Sequence, residues 1–209
     1  MRGKNMLWAI AGLAIIGAVA AGPLMSDVEQ AKYDVVRIQD NIEIRDYSAH
    51  IVAETEVTGE RKEAINQGFR LIADYIFGNN TASQKVAMTA PVIQQPNEKI
   101  AMTAPVIQQG AGNAWKVQFV MPANYTMETL PKPNNSAVTL HHVAAKRFAV
   151  VRFSGISGEE SLKRQTETLN DFIDTQKLKA LSVPTFAFYN PPWTLPFMRR
   201  NEVMVEVAK

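Results

Sequence analysis

Two stretches of this chain, 96 residues apart, follow one plan, and that plan limits the folds open to it. In the first, Ile42 and Ile44 alternate with Glu43 and Arg45 on a strand ending near Tyr47. A second strand runs from His50 to Thr58, with Ile51, Ala53, Thr55 and Val57 on one side, and Gly59 closes it. Such alternation is the period-two signature of a strand. From Arg61 to Phe77 the period becomes helical. Ile65, Phe69, Ile72 and Ile76 form one stripe, and Gly78-Asn79-Asn80 ends it. In the second stretch, strands over Val138–Val143 and Lys146–Phe153 precede Gly155, and a helix from Ser157 to Gln176 carries Leu162, Thr166, Leu169 and Ile173. Extended segments follow each helix: Ile100–Ile107 and Trp115–Met121, then Thr185–Tyr189 and Glu202–Val207. One helix cannot cover both faces of its own strands. The two halves, about 34–112 and 113–209, should therefore share one sheet or barrel in a single α+β domain.

The N-terminus reads as a targeting segment. Arg2 and Lys4 precede an uncharged apolar run from Met6 to Gly22, and Ala18-Val19-Ala20 fits a small-x-small cleavage pattern. The run would cover roughly 25 Å as a helix, the short edge of a bilayer span. Residues 1–21 are thus a cleaved signal peptide or an uncleaved anchor. Both place the domain outside the cytoplasm, in the periplasm for the cleaved form. Membrane contact is expected only if the segment is retained. Residues 22–33 read as a linker. The formal charge of +2 is carried by Arg2 and Lys4, so the remainder is neutral and has no nucleic-acid footprint.

A finer repeat lies between the halves. Lys85–Gln95 recurs as Lys99–Gln109, and only Val86 and Ile100 differ. Pro91 and Pro105 each remove a ladder donor, so they belong at an edge or a strand break. Either the pair forms a hairpin or long loop, or one copy builds a strand while the other lines a site.

The catalytic templates are missing. No G-x-S-x-G, H-E-x-x-H, P-loop or G-x-G-x-x-G occurs, and the chain has no cysteine. A non-catalytic protein is expected. Of the three histidines, His141 and His142 are neighbours on a strand and must point to opposite faces, one inward and one outward. His50 opens a strand and is read as an exposed edge residue. The C-terminal run Tyr189–Val203 is more informative. Trp193, Leu195, Phe197 and Met198 stand among prolines in a loop, followed by Arg199 and Arg200. An apolar wall ending in guanidinium groups suits a flat hydrophobic ligand with carboxylates. Alternatively, the arginines cap the sheet edge and pair with Glu202 or another acid.

Three segments resemble the SOUL haem-binding protein family: Ile42-Glu43-Ile44-Arg45-Asp46-Tyr47, the Lys-[Val/Ile]-Ala-Met-Thr-Ala-Pro-Val motif at 85–92 and 99–106, and Tyr189-Asn190-Pro191-Pro192 leading into Arg199-Arg200-Asn201-Glu202-Val203. The resemblance spans Tyr33 to Val207. It implies duplicated β-α-β-β-type halves forming a distorted antiparallel barrel of about eight strands with two packed helices. The fold is similar to the effector-binding domains of gyrase-inhibitor-like proteins. It also implies a haem or other tetrapyrrole ligand. A histidine proposed as axial ligand in some members would fall at Asp46 here, and Asp is a poor haem ligand. The candidate contacts are therefore Trp193, Leu195, Phe197, Met198, Arg199 and Arg200, with His50, His141 and His142 as candidate axial ligands. The expected function is an exported tetrapyrrole carrier, buffer or scavenger; the alternative is an interaction or structural protein that kept the fold and lost the ligand.

Overall fold

The computed structural model describes residues 28–82 and 98–209. The targeting segment and the first copy of the short repeat lie outside them. Eleven strands and two helices follow in the order β1 (Tyr33–Gln39), β2 (Ile42–Tyr47), β3 (His50–Thr58), α1 (Arg61–Ile76), β4 (Asn80–Thr81), β5 (Val106–Ala111), β6 (Ala114–Val120), β7 (Lys132–Pro133), β8 (Thr139–Val143), β9 (Lys146–Phe153), α2 (Glu159–Thr175), β10 (Thr185–Phe188) and β11 (Asn201–Glu206). Nine strands form one curled antiparallel sheet, ordered β1-β2-β9-β11-β10-β5-β6-β3-β8, while β4 and β7 pair apart.

The sheet is built by exchange between the halves. β2 does not pair with β3; it pairs with β9, placing Ile44 opposite Ala149. β3 takes β8, with Ala53 opposite Leu140. Residues 42–54 therefore run beside residues 139–151 in one register, interrupted at Ser48-Ala49 and Ala144-Ala145. The pairs Ile44–Ala149 and Leu140–Ala53 are related by the 96-residue spacing. On the other side, β5 and β10 join the halves, with Ile107 opposite Ala187. The strand β6 lies between β5 and β3.

Each helix covers one end of the exchanged sheet, so each packs on strands from both halves. Alternation puts Ala53, Val57, Val117 and Phe119 under α1, and Ile42, Ile44, Ala149, Val151, Val203 and Val205 under α2. The α1 stripe is rotated from the expected one. Ala64, Gly68, Ile72, Tyr75 and Ile76 are buried, whereas Phe69 is exposed. Gly68 explains the rotation: a Cβ there would stand 2.6 Å from Cγ2 of Val117, so the bare backbone seats the helix on β6. Gly68→Ala would gain up to about 1 kcal/mol of helix propensity. It would also overpack against a stiff β-branched side chain, which costs about 1–3 kcal/mol. A lower urea midpoint with an unchanged m-value is expected, a net loss of up to about 2 kcal/mol.

Three expectations need correction. The second half of the expected linker packs down: Val28, Ala31 and Tyr33 lie against a cluster containing Tyr47, Val150, Tyr189 and Met204 on the face away from the helices. The strand β1 was not expected, because its residues beyond Tyr33 are exposed and carry no burial period. The extended segment placed at Ile100–Ile107 yields a strand only from Val106. Pro105 stands just before that strand, at the break its missing N–H requires; the Ala104–Pro105 peptide is cis.

Candidate functional site

Two of the three family segments, residues 42–47 and 189–203, converge on a buried charge network. Glu202 is fully buried on β11. Its carboxylate accepts from Arg45 of β2 at 2.9 and 3.1 Å, from Nε of Arg200 at 2.9 Å and from the Tyr189 hydroxyl at 2.8 Å. Arg45, equally sealed, also donates to Glu43 at 2.7 Å and to the Tyr47 hydroxyl at 3.0 Å. Tyr33 faces the Arg45 guanidinium at 4.4 Å, and Tyr189 faces that of Arg200 at 3.8 Å. Burial alone would lower the pKa of Arg45, but the hydrogen bonding and charge attraction of Glu202, with Tyr47 added, together outweigh it and the guanidinium stays charged. Burial pushes Tyr47 up to about 12 and Tyr189 well above its ordinary value, so both stay neutral donors and acceptors. Every charge here is used internally. The network ties β2, β11 and the Tyr189 segment together.

Arg200 therefore pairs with Glu202, the alternative that the sequence left open. Its remaining donors reach Gln30 at 3.1 Å and the Tyr33 hydroxyl at 3.3 Å. Arg199 holds the loop: its Nε donates to the Thr194 carbonyl at 2.8 Å, and another guanidinium nitrogen donates to the Pro192 carbonyl. Backbone bonds from Thr194 to Pro191, Met198 to Leu195 and Gly155 to Pro196 complete the clamp. Trp193 and Phe197 project from this fixed backbone at 69% and 73% exposure, Leu195 is exposed, and Met198 is half-buried. Together they form an apolar ledge.

A separate cleft lies between the halves on the face away from the helices. Tyr47, Ile107, Val143, Phe148, Tyr189 and Met204 supply most of its apolar lining. Its volume is about 840 Å³ out to its open mouth, and Lys146 and Glu206 in its wall pair at 2.7 Å. None of the six loop residues lines it.

His50 does line it, and it also borders a neighbouring opening with His142. The expected exposed edge position is corrected: β8 covers β3, and His50 is half-buried. Its Nδ1 lies 2.8 Å from the Ser48 carbonyl. A carbonyl can only accept, so Nδ1 carries the proton and Nε2 presents its lone pair, the arrangement of a ligating histidine. His141 and His142 do point to opposite faces, but neither is inward, because β8 is a sheet edge and both are exposed. His141 meets the Thr139 hydroxyl at 2.9 Å and lies 4.0 Å from Glu54. Asp46 is held by Arg147 through bonds of 2.8 and 2.7 Å, a bidentate pair that keeps its pKa below the usual range. Among the described residues no cluster of three or more ligating side chains could hold a bare metal ion.

The ledge carrying Trp193 and Phe197 and the cleft lined by His50 are two separate apolar surfaces. A curled antiparallel sheet bearing one helix on each half defines an α+β half-barrel. The chain belongs to the SOUL heme-binding protein family, whose model matches residues 28–206. The fold is shared with the C-terminal domain of EcmrR, at 10% identity and a TM-score of 0.58 over 85% of this chain and 98% of that one. It is also shared with a hydrolase from Listeria innocua, at 10% identity and 0.52 over 83% and 94%. An uncharacterized conserved protein from the same organism matches at 11% and 0.52 over 81% and 93%. No curated protein matches the chain significantly.

Proposed function

We propose that the chain is an exported, non-catalytic carrier or scavenger of haem or a related tetrapyrrole, and that the macrocycle docks on the ledge of Trp193, Leu195, Phe197 and Met198. Membership of a haem-binding family supports the ligand class. The observation that carries the site is the exposure of Trp193 and Phe197 on a loop braced by Arg199. Covering several hundred Å² of apolar surface, at roughly 25 cal/mol per Å², can outweigh the lack of a fixed iron ligand, although association entropy offsets much of it.

Absorbance titration of the purified mature protein with haemin tests this. A saturable Soret shift at one-to-one stoichiometry is expected. Non-saturating adsorption would instead favour a protein that kept the fold and lost the ligand. The basic start and the Ala18-Val19-Ala20 pattern support export. N-terminal sequencing of the cell-envelope protein should read a start near Ala21 or Gly22. A cytoplasmic protein retaining Met1 or Arg2 would contradict export, and a membrane-bound species retaining the segment would replace cleavage with anchoring.

A second reading places the ligand in the central cleft. It is favoured by His50, whose Nε2 lone pair is left available by the Nδ1–Ser48 bond.

A further inference from the structure

On the helix-bearing face, a cleft of about 1110 Å³ out to its open mouth lies between the first turns of α1 and α2. Arg61, Trp115, Lys163, Thr166 and Phe186 are among its lining residues. Arg61 is unlike the other half-buried or buried arginines. Arg45, Arg147 and Arg200 each grip a carboxylate, and Arg199 is spent on two backbone carbonyls. Arg61 forms no ion pair among the described residues; one nitrogen donates to the neutral Gln108 amide at 3.0 Å. The rest of its surroundings are aromatic: its guanidinium carbon lies 5.5 Å from the ring centre of Phe186, 5.8 Å from Phe188 and 6.0 Å from Trp115. Two donors here, Nε of Arg61 and Nε1 of Trp115, are buried without a partner. An unmade bond at a buried donor is costly, more so where the group is charged. Burial lowers the pKa of Arg61, with Glu159 working against it.

A cation without a counter-ion, two donors without acceptors and a set of ring faces share one ligand chemistry. We propose that this cleft binds an aromatic carboxylate, its carboxylate on Arg61 and its ring against Trp115 and Phe186. Arg takes a carboxylate in a planar, two-pronged contact, and the rings supply apolar area and stacking. The rim fixes the charge of the ligand. Glu60, Glu159 and Glu167 line the cleft beside Lys163, so a multiply charged anion is opposed more strongly than a single carboxylate. This site is separate from the ledge and stands whether or not the tetrapyrrole reading does.

Isothermal titration of the full mature chain with 2-naphthoate, and with 2-naphthol as its uncharged counterpart, tests the proposal. One-to-one binding of naphthoate is expected, at least tenfold tighter than naphthol. Arg61→Gln should weaken naphthoate at least tenfold and leave the haemin titration unchanged. Thr166→Trp, which fills the cleft from α2 and leaves Arg61 in place, should also weaken naphthoate at least tenfold, and it carries the test if Arg61→Gln does not fold. The proposal is overturned if wild type binds naphthoate no better than naphthol. It is also overturned if every folded member of this variant pair binds naphthoate as wild type does, or if Trp193→Ala removes naphthoate binding.

Discussion

Glu202→Leu should cost about 3–5 kcal/mol of folding stability, the loss seen when one partner of a buried ion pair is removed. Glu202 is the acceptor on which two guanidinium groups and the Tyr189 hydroxyl converge. Leucine would leave Arg45 sealed with only Glu43, and Arg200 without a carboxylate. Domains of ordinary stability have about 5–15 kcal/mol in total, so the variant would sit near the edge of unfolding. Urea unfolding measures it, and an effect below about 0.5 kcal/mol, the range of an inert surface change, would show that the network does not hold the sheet. Adding Arg45→Met removes one of the stranded charges and should recover part of the loss, a non-additivity expected of groups in one network.

A chain ending at Ala137 should not fold. It keeps β1 to β7 and α1, but the three ladders joining β2 to β9, β3 to β8 and β5 to β10 would lose one strand each. Ile42 and Ile44 would lose the α2 core in which they are buried. Arg45 would lose Glu202. Unpaired strand edges and uncovered apolar faces favour association over a unique fold. Circular dichroism against urea should show no cooperative transition, and a sharp transition from this fragment alone would show that the first half has a self-sufficient core.

Much of this architecture was legible from local periodicity. The alternation at Ile42–Ile44 and Ile51–Val57, the two helical stripes and the 96-residue spacing are short-range signals, and they located β2, β3, β9, α1 and α2 closely. What was not legible depends on contacts distant in sequence. Nothing beside Arg200 states that Arg45, 155 residues earlier, will share its carboxylate. That convergence turns a candidate ligand arginine into part of the sheet's interior. The exchange of strands was hidden for the same reason: two adjacent strands of matching pattern read equally well as a hairpin. β1 left no trace because a strand exposed beyond its first residue has no apolar period. His50 was misplaced because its burial comes from β8, almost 90 residues later. The ledge residues were legible because large apolar side chains among prolines are conspicuous in any sequence; their exposure comes from the Arg199 clamp.

Haemin titration of three proteins, wild type, Trp193→Ala and His50→Ala, tests ledge binding most directly. Trp193 is open in the free protein and would be covered by the macrocycle, so its truncation should cost about 2 kcal/mol, the scale of an aromatic hot spot. That corresponds to roughly a thirtyfold rise in the dissociation constant. His50→Ala should leave both affinity and Soret position nearly unchanged, as should His141→Ala and His142→Ala. The contrary result is equally clear: if His50→Ala abolishes the Soret shift while Trp193→Ala binds like wild type, the ligand sits in the central cleft with His50 on its iron, and the ledge is not the site.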